Sequence, residues 1–495
     1  MARDPERRLY RFEPLDASGV FLGLGVVQSA LLGGGLVGAV AAVTAGLPMP
    51  IAALPVVVGA ALSFGRVAAR PAWEWLPLSV AWLWMRLGRG PLWYARLPLL
   101  AAEPCDAPLP PCLAGLSIVD VPWRGRLSLG AVRDPQGQTL TAAVAVSGPP
   151  FVLVSNSHQE SLLTGWGDAL NQFAVDRGVV THLTWSDLAR SSGMTEHLAW
   201  VERDDRGEML PEASASYREL LDNAVSCATG HEILVTITVA RDRLSRRRAH
   251  LGDPDAALAR ALVTAIEAFL RGLTSAGLQA LDPLSAHGLQ RVLRTRIEPR
   301  VAAPRLVEGR LVERVGLVTA TSCGPVALST SWSHVRVDGA FHRTYWVASW
   351  PRLAVPPSWL EPFLSASGVT RTMTVVFRPV PAHQSRRQIE RDLVKLESDA
   401  ATKEDRGRRI DGRHRRATRS LLEREEELVA GYAEMAYVGL VTVSATSEDE
   451  LAEDAEIVEQ LARESGMELR ALDGRQDVAW AAALPLGLAP KTLLA

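Results

Sequence analysis

From residue 17 to residue 65 the chain carries no Asp, Glu, Lys or Arg, a run of 49 residues. Hydrocarbon rejects charge, and a soluble core rarely needs so long a charge-free stretch. Pro48, Pro50 and Pro55 fall in its second half. Proline lacks the amide donor and disfavours continued helix, so the run is expected to bend near 47–51. Residues 19–44 are long enough to cross a bilayer with some tilt. Residues 49–64 are short for a crossing unless flanking residues help. The run predicts a transmembrane hairpin. Gly33, Gly34, Gly35 and Gly38 suit close helix approach within it.

The flanks orient the hairpin. Arg3, Arg7, Arg8 and Arg11 precede it, Arg66, Arg70, Arg86, Arg89 and Arg96 follow it, and the turn at 46–50 is uncharged. Positive residues stay cytoplasmic, so both termini are expected inside the cell, with the turn on the far side. A single-span signal anchor and a buried soluble hairpin are the plainer readings. A cleaved signal peptide has a much shorter apolar region.

Residues 71–100 interleave Trp73, Trp75, Trp82, Trp84, Trp93 and Tyr94 with Arg86, Arg89 and Arg96. Tryptophan and arginine favour the headgroup zone, so Trp73, Trp75, Trp82, Trp84, Arg86, Arg89, Trp93 and Arg96 are candidate membrane-interface residues on a helix lying on the cytoplasmic leaflet. The alternative is a soluble helix that packs its tryptophans in a core. Residues 101–122 are proline-rich and read as a linker.

The chain has 495 residues, enough for roughly two to four domains. Its net charge of −2 argues for no general class of charged partner. Lysine occurs only at Lys395, Lys403 and Lys491, and alanine is abundant, which is the usage of a GC-rich genome. Arginine richness alone is therefore no phosphate-binding signal. Cys105 and Cys112 lack the spacing and the second pair of a zinc site, and with Cys227 and Cys323 are expected to be reduced thiols.

Beyond the linker, strands and helices alternate. Strands are expected at 127–132, 140–146, 151–154, 179–185 and 232–240, and helices at 162–175, 217–228, 255–276 and 285–295. The second half repeats the rhythm, with strands at 345–350, 371–380, 435–444 and 469–472. Its helices are expected at 357–367, 447–465 and 476–483. Matching 151–154, 179–185 and 232–240 to 345–350, 371–380 and 435–444 gives a pseudo-repeat. The expected fold class is α+β: a two-span transmembrane helical hairpin (1–70), the interfacial helix (71–100) and linker (101–122), then a cytoplasmic region of two ferredoxin-like α/β sandwiches (123–300 and 301–495). One irregular α+β domain is the alternative. Residues 383–430 form a long charged helical insertion. Gly407 and Gly412 predict a break, leaving an arginine-rich tip with Arg406, Arg408, Arg409, Arg413, Arg415 and Arg416. That tip reads as a partner or nucleic-acid contact, or as an ordinary solvated face.

The chain has no G-x-x-x-x-G-K-[ST] loop; the nearest segment, GLAPKT at 487–492, lacks a glycine and has proline where amides are needed. His231-Glu232 begins an H-E-x-x-H match that fails at Val235. No G-x-S-x-G occurs. Arg246, Arg247, Arg248 and His250 read as a solvated loop. The sequence predicts no catalytic residue, no cofactor and no metal site.

With its basic start ending in Arg11-Phe12, glycine-rich span, second span after Pro48, Arg66 and tryptophan-bearing segment, the N-terminal part resembles the PrgI family of conjugative, type IV secretion membrane proteins. The C-terminal part resembles the N-terminal, non-nucleotide-binding half of the large conjugation ATPases of the TraC/TrbE type. The residues that carry this likeness are His342-Arg343-Thr344-Tyr345, Trp350-Pro351 before a helix, the long charged helix, 428–434 leading into a strand, 447–451 opening a helix, and DGRQDVAWAAALPL at 473–486. In those ATPases a Gln-bearing segment ending in Leu-Pro leads toward the nucleotide domain. Here Gln476, Leu484, Pro485, Leu486 and Gly487 match and the chain then stops, so ATP hydrolysis is not carried over. The fused arrangement resembles that of actinobacterial secretion-like gene clusters. The resemblance implies an inner-membrane platform that docks a secretion or conjugation ATPase in trans, with membrane lipid and other inner-membrane secretion subunits as partners. It is compatible with a homo-oligomer. The other expectations are a membrane-anchored enzyme with an unrecognised site and an adaptor that touches DNA through the arginine-rich tip.

Overall fold

A computed structural model of the chain describes residues 26–67, 70–88, 90, 92–95, 109–136, 138–148, 151–174, 178–191, 212–213, 216–217, 219–221, 229–244, 253–299, 305–307, 310–312, 324–351, 353–405, 412–431 and 434–488. Several expectations lie wholly or partly outside those residues: the basic start with Arg3, Arg7, Arg8 and Arg11, residues 19–25 of the first span, Arg89, Arg96, residues 101–108 of the linker expected at 101–122, Cys105, Cys227, Cys323, residues 222–228 of the helix expected at 217–228, and the cluster of Arg246, Arg247, Arg248 and His250. Arg406, Arg408 and Arg409 also lie outside them.

Helix α1 (Val26–Thr44) turns at Gly46 into α2 (Met49–Phe64). Pro48 and Pro50 sit at the entry of α2, where a missing amide costs nothing, and Gly46 takes the positive φ of the turn. The strands β1 (Arg66–Val67) and β2 (Arg70–Pro71) pair and lead into α3 (Ala72–Gly88), followed by β3 (Leu92–Tyr94).

The rest is a mixed α+β body built on one large antiparallel sheet. Its first half runs β4 (Ser117–Trp123), β5 (Leu127–Asp134), β6 (Thr139–Ser147), α4 (Asn156–Asn171), β7 (Val180–Ser191), β8 (Thr229–Ala240), α5 (Pro254–Ser275), β9 (Gln279–Pro283) and α6 (Ala286–Ile297). A small hairpin, β10 (Arg305–Val307) and β11 (Arg310–Val312), follows. The second half runs β12 (Ala327–Thr330), β13 (Val335–Val337), β14 (Ala340–Ser349), α7 (Glu361–Leu364), β15 (Arg371–Val380), α8 (Ala382–Asp405), α9 (Gly412–Val429), β16 (Glu434–Ala445), α10 (Glu448–Glu464), β17 (Glu468–Ala471) and α11 (Gln476–Ala483).

The sheet order is β3-β12-β13-β14-β16-β15-β7-β8-β6-β5-β4, with β17 also on β14 and β9 also on β6. Each half therefore repeats one pattern. A hairpin feeds a central strand (β6, β14), whose other neighbour (β8, β16) separates it from the strand that meets the opposite half. The two halves join edge to edge, β7 against β15, from Leu183↔Phe377 to Ala189↔Arg371.

On one face of the sheet, α4 and α5 bury Leu170, Leu262, Ile266 and Phe269 against Ala142, Leu183 and Ile237. On the same face α7 and α10 bury Phe363, Leu451 and Val458 against Tyr345, Met373 and Val441. Trp185 and Phe377 touch both clusters and close the seam. The other face carries α6, α11 and a third cluster that includes Leu289, Leu293, Val337 and Trp480.

Three expected elements differ. The linker expected at 101–122 is structured toward its end: Pro111–Leu113 is a 3-10 turn and Ser117–Trp123 is β4, paired with β5. Residues 151–154 are not a strand: Phe151–Leu153 is a 3-10 turn with Leu153 82% exposed. A four-residue apolar run has no periodicity to separate strand from turn, and Pro149 and Pro150 deny it ladder donors. The repeat therefore aligns from β6 and β14, one strand earlier than predicted. The helix expected at 357–367 shrinks to the single turn α7. Its carbonyls turn instead to the buried Arg371 guanidinium, which donates to Leu364 O at 2.6 Å and Ala366 O at 2.8 Å. The insertion at 383–430 divides into α8 and α9, as Gly412 suggests, with the Arg424–Glu434 ion pair at its base.

Candidate functional site: an exposed hairpin and its joint to the sheet

Glycine lets α1 and α2 approach closely. A Cβ on Gly35 would lie 2.6 Å from Pro55 O, and one on Gly59 2.8 Å from Leu31 O. Gln28 and Ser63 close the open end reciprocally: Gln28 Nε2 donates to Ser63 O and Ser63 Oγ to Gln28 O, both at 2.9 Å. Away from this seam most of the hairpin's described side chains are exposed. Only 6% of Val27–Thr44 is buried, and α1 is the one helix among the described residues long and apolar enough to cross a membrane; α2 is shorter. Leu36, Val37, Val40, Met49, Leu54 and Val57 are all exposed. In water each would forgo about 1.5–3 kcal/mol of burial free energy.

Helix α3 has two opposite faces. Glu74, Trp75, Leu78, Trp82 and Met85 are half-buried toward the body, while Leu76, Val80, Leu83, Trp84 and Leu87 are exposed. At 3.6 residues per turn these sets fall on opposite sides of the helix. The inner face closes on one ring. Trp75 stacks on Trp332 with centroids 6.0 Å apart, and Trp82 meets Trp332 edge-on at 5.3 Å. The Arg86 guanidinium lies 5.1 Å from the Trp82 ring centre. Trp332 rests in turn on Gly474, whose N–H donates to Trp332 O at 2.8 Å. Burial lowers the pKa of the neighbouring Arg475, an effect opposed by the charge of Glu74 on α3.

The predicted interface residues thus divide. Trp84 is 78% exposed, Trp75 and Trp82 grip Trp332, and Trp93 sits in β3 opposite Leu328 of β12. Trp73 is half-buried and Arg86 exposed, while Arg89 and Arg96 lie outside the described residues.

From Gly474 the chain runs across the sheet face opposite α4 and α5. That face is lined by buried hydroxyls. Thr141 and Thr238, cross-strand partners in the first half, bond side chain to side chain at 2.9 Å. Thr344 and Thr442 occupy the equivalent strands of the second half and bond at 3.0 Å. Gln476 binds both backbone groups of Thr344, Thr374 Oγ1 donates to Ala483 O at 3.1 Å, and His182 Nε2 donates to Gly487 O at 3.0 Å. The segment 476–488 is therefore a strap reaching from β14 to β6. Burial pushes His182 down to about 4, and likewise His342, whose Nε2 donates to Ile297 O at the end of α6. Both imidazoles are neutral structural links. Period-two hydroxyls at Thr236/Thr238 and Thr372/Thr374 are the sequence sign of this face.

The residues of the failed H-E-x-x-H match have structural partners: His231 Nδ1 lies 2.9 Å from Asp187, and buried Arg296 lies 3.2 Å from Glu232. No group of His, Cys, Asp or Glu among the described residues could hold a metal ion. A shallow cleft of about 170 Å³ between α4 and α7 is lined by Val152, Gln159, Glu160, Pro357 and Glu361. Of the arginine-rich tip, Arg415 is exposed at the start of α9. Arg413 and Arg416 lie on the same helix, with side chains outside the description. No protein-family description matches the chain, and no curated protein matches it.

Proposed function

We propose that this protein is an inner-membrane structural component of a conjugative or type IV secretion-like apparatus, anchoring and positioning a separately encoded ATPase. The observation that carries the reading is an uncharged helical hairpin, apolar and exposed, joined through α3 and Trp332 to a large α+β body. In this reading both α1 and α2 cross the bilayer. The arginines at either end keep both termini cytoplasmic. Each half of the body is a ferredoxin-like sandwich; the recurring strand order and the paired threonines support that assignment. The body offers the docking surface, and the motor comes in trans because the chain has no phosphate-binding loop.

The test is co-purification from detergent. The protein should bring down an ATPase encoded in the same operon and show no nucleotide turnover by itself. Intrinsic hydrolysis by the purified chain rejects the reading.

A second reading, nucleic-acid contact through Arg406, Arg408, Arg409, Arg413, Arg415 and Arg416, rests on the charge order of α9. Its first turn has no acidic residue and its last turn no basic one, the reverse of what the helix dipole favours. An anionic partner would relieve that arrangement. Binding to DNA should weaken steeply with salt and vanish on charge reversal; binding insensitive to salt rejects it.

A further inference from the structure

The outer face of α3 has no partner among the described residues of the body. Leu76, Val80, Leu83, Trp84 and Leu87 form one stripe, all at least half exposed, with no charged residue among them. Two observations indicate what covers it. First, α3 starts where α2 ends: the Ala72 N–H donates to Gly65 O at 2.8 Å, so the first turn of α3 is pinned to the foot of the apolar hairpin. Second, its opposite face is already committed to Trp332, which fixes the stripe outward.

We infer that this stripe is a lipid-binding surface, seated at the boundary between headgroups and acyl chains, and that the Trp75–Trp332–Trp82 cluster is a protein joint and not part of the lipid contact. This rests on the membrane reading of the hairpin and refines it. A helix with one apolar face and a cationic end is suited to the interface plane, where the chains take the apolar side and the phosphates take the charge. Arg66 before α3 and Arg86 in its last turn supply that charge at both ends. Through Trp332 and the Gly474 turn, the helix sets the tilt of the sheet body over the bilayer. Of the predicted interface tryptophans, Trp84 alone belongs to the stripe.

The experiment uses the full chain in liposomes of phosphatidylglycerol and phosphatidylethanolamine. An environment-sensitive fluorophore is placed in turn at Leu83→Cys, at Val37→Cys in α1 and at Asp449→Cys on the far helix α10, with the native cysteines replaced by serine. A lipid bearing a nitroxide just below its headgroup is the quencher. The Leu83 probe should shift to the blue and lose most of its emission to the nitroxide, and the Asp449 probe should do neither. If the Val37 probe is quenched and the Leu83 probe is not, the hairpin is in the membrane and the stripe is not, which overturns this inference and leaves the anchor standing. A blue-shifted Leu83 probe that the nitroxide does not reach means that protein covers the stripe, which also overturns it. If neither Val37 nor Leu83 is quenched, the membrane reading itself falls.

Discussion

Gln476 holds Thr344 by both ends of its amide: Oε1 accepts from the Thr344 N–H at 2.8 Å and Nε2 donates to the Thr344 carbonyl at 3.2 Å. A side chain at the start of α11 thus completes the hydrogen bonding of a central strand, with no exposure to solvent. Gln476→Leu keeps the volume but takes the partner from the buried Thr344 N–H, while the Thr344 carbonyl keeps the Leu472 N–H at 3.1 Å. The expected loss is on the order of 1–3 kcal/mol, read as a lower denaturant midpoint in detergent, whereas a loss under half a kcal/mol would mean that water replaces the amide.

Gly487 lies against the Thr141 and Thr238 hydroxyls with φ of +71°. Any side chain there meets both the strain of the left-handed backbone and the floor of threonines. Gly487→Ala should release the end of the strap, seen as faster proteolysis near residue 480 and faster amide exchange in α11. Unchanged exchange would show that the strap is held by Trp480 and Leu484 alone.

Arg371 is buried and serves the carbonyls of Leu364, Ala366 and Val369. Arg371→Met removes all three donors at once. A destabilisation of about 3 kcal/mol is expected, with Arg371→Lys recovering only part, because an ammonium cannot span the same three acceptors. Full recovery by lysine in thermal unfolding would refute the assignment.

His182 and His342 are each lowered by burial from 6.5 to about 4. Between those values the unfolded chain binds more protons than the folded one, so stability falls as pH drops from about 6.5 toward 4 and levels off below. His342→Gln keeps a side-chain amide near Ile297 O without a titrating proton. The variant should flatten the acid limb of the stability profile while remaining less stable at neutral pH. An identical acid limb would assign the effect to other groups.

The reciprocal bonds of Gln28 and Ser63 place these residues side by side. A Gln28→Cys/Ser63→Cys pair should oxidise to a disulfide in membranes. Adding Gly35→Leu should abolish it, because the side chain would strike Pro55. Cross-linking that survives Gly35→Leu would show that α1 and α2 meet by another seam.

Long periodic signals were legible in the sequence. The helix at 49–64, the strand at 371–380 and the helix at 476–483 fall where periodicity and proline placement put them. Short segments misled, because Phe151–Leu153 is apolar for reasons unrelated to pairing and α7 is ended by a distant guanidinium. The threonine face was hidden for a different reason. Threonine is an ordinary strand former, and only the cross-sheet register brings Thr141 to Thr238 and Thr344 to Thr442. The role of Trp332 had no local sign either, since its partners lie some 250 residues earlier in the chain.

The edge-to-edge meeting of β7 and β15 limits how this chain can be dissected. Cut the polypeptide between its halves and each fragment bares a long ladder of unspent amides and carbonyls on Val180–Ser191 or Arg371–Val380. A fragment so exposed pairs with its own twin or precipitates. Truncated versions made to map a partner would therefore report the stickiness of a severed edge, and the two halves must be assayed together.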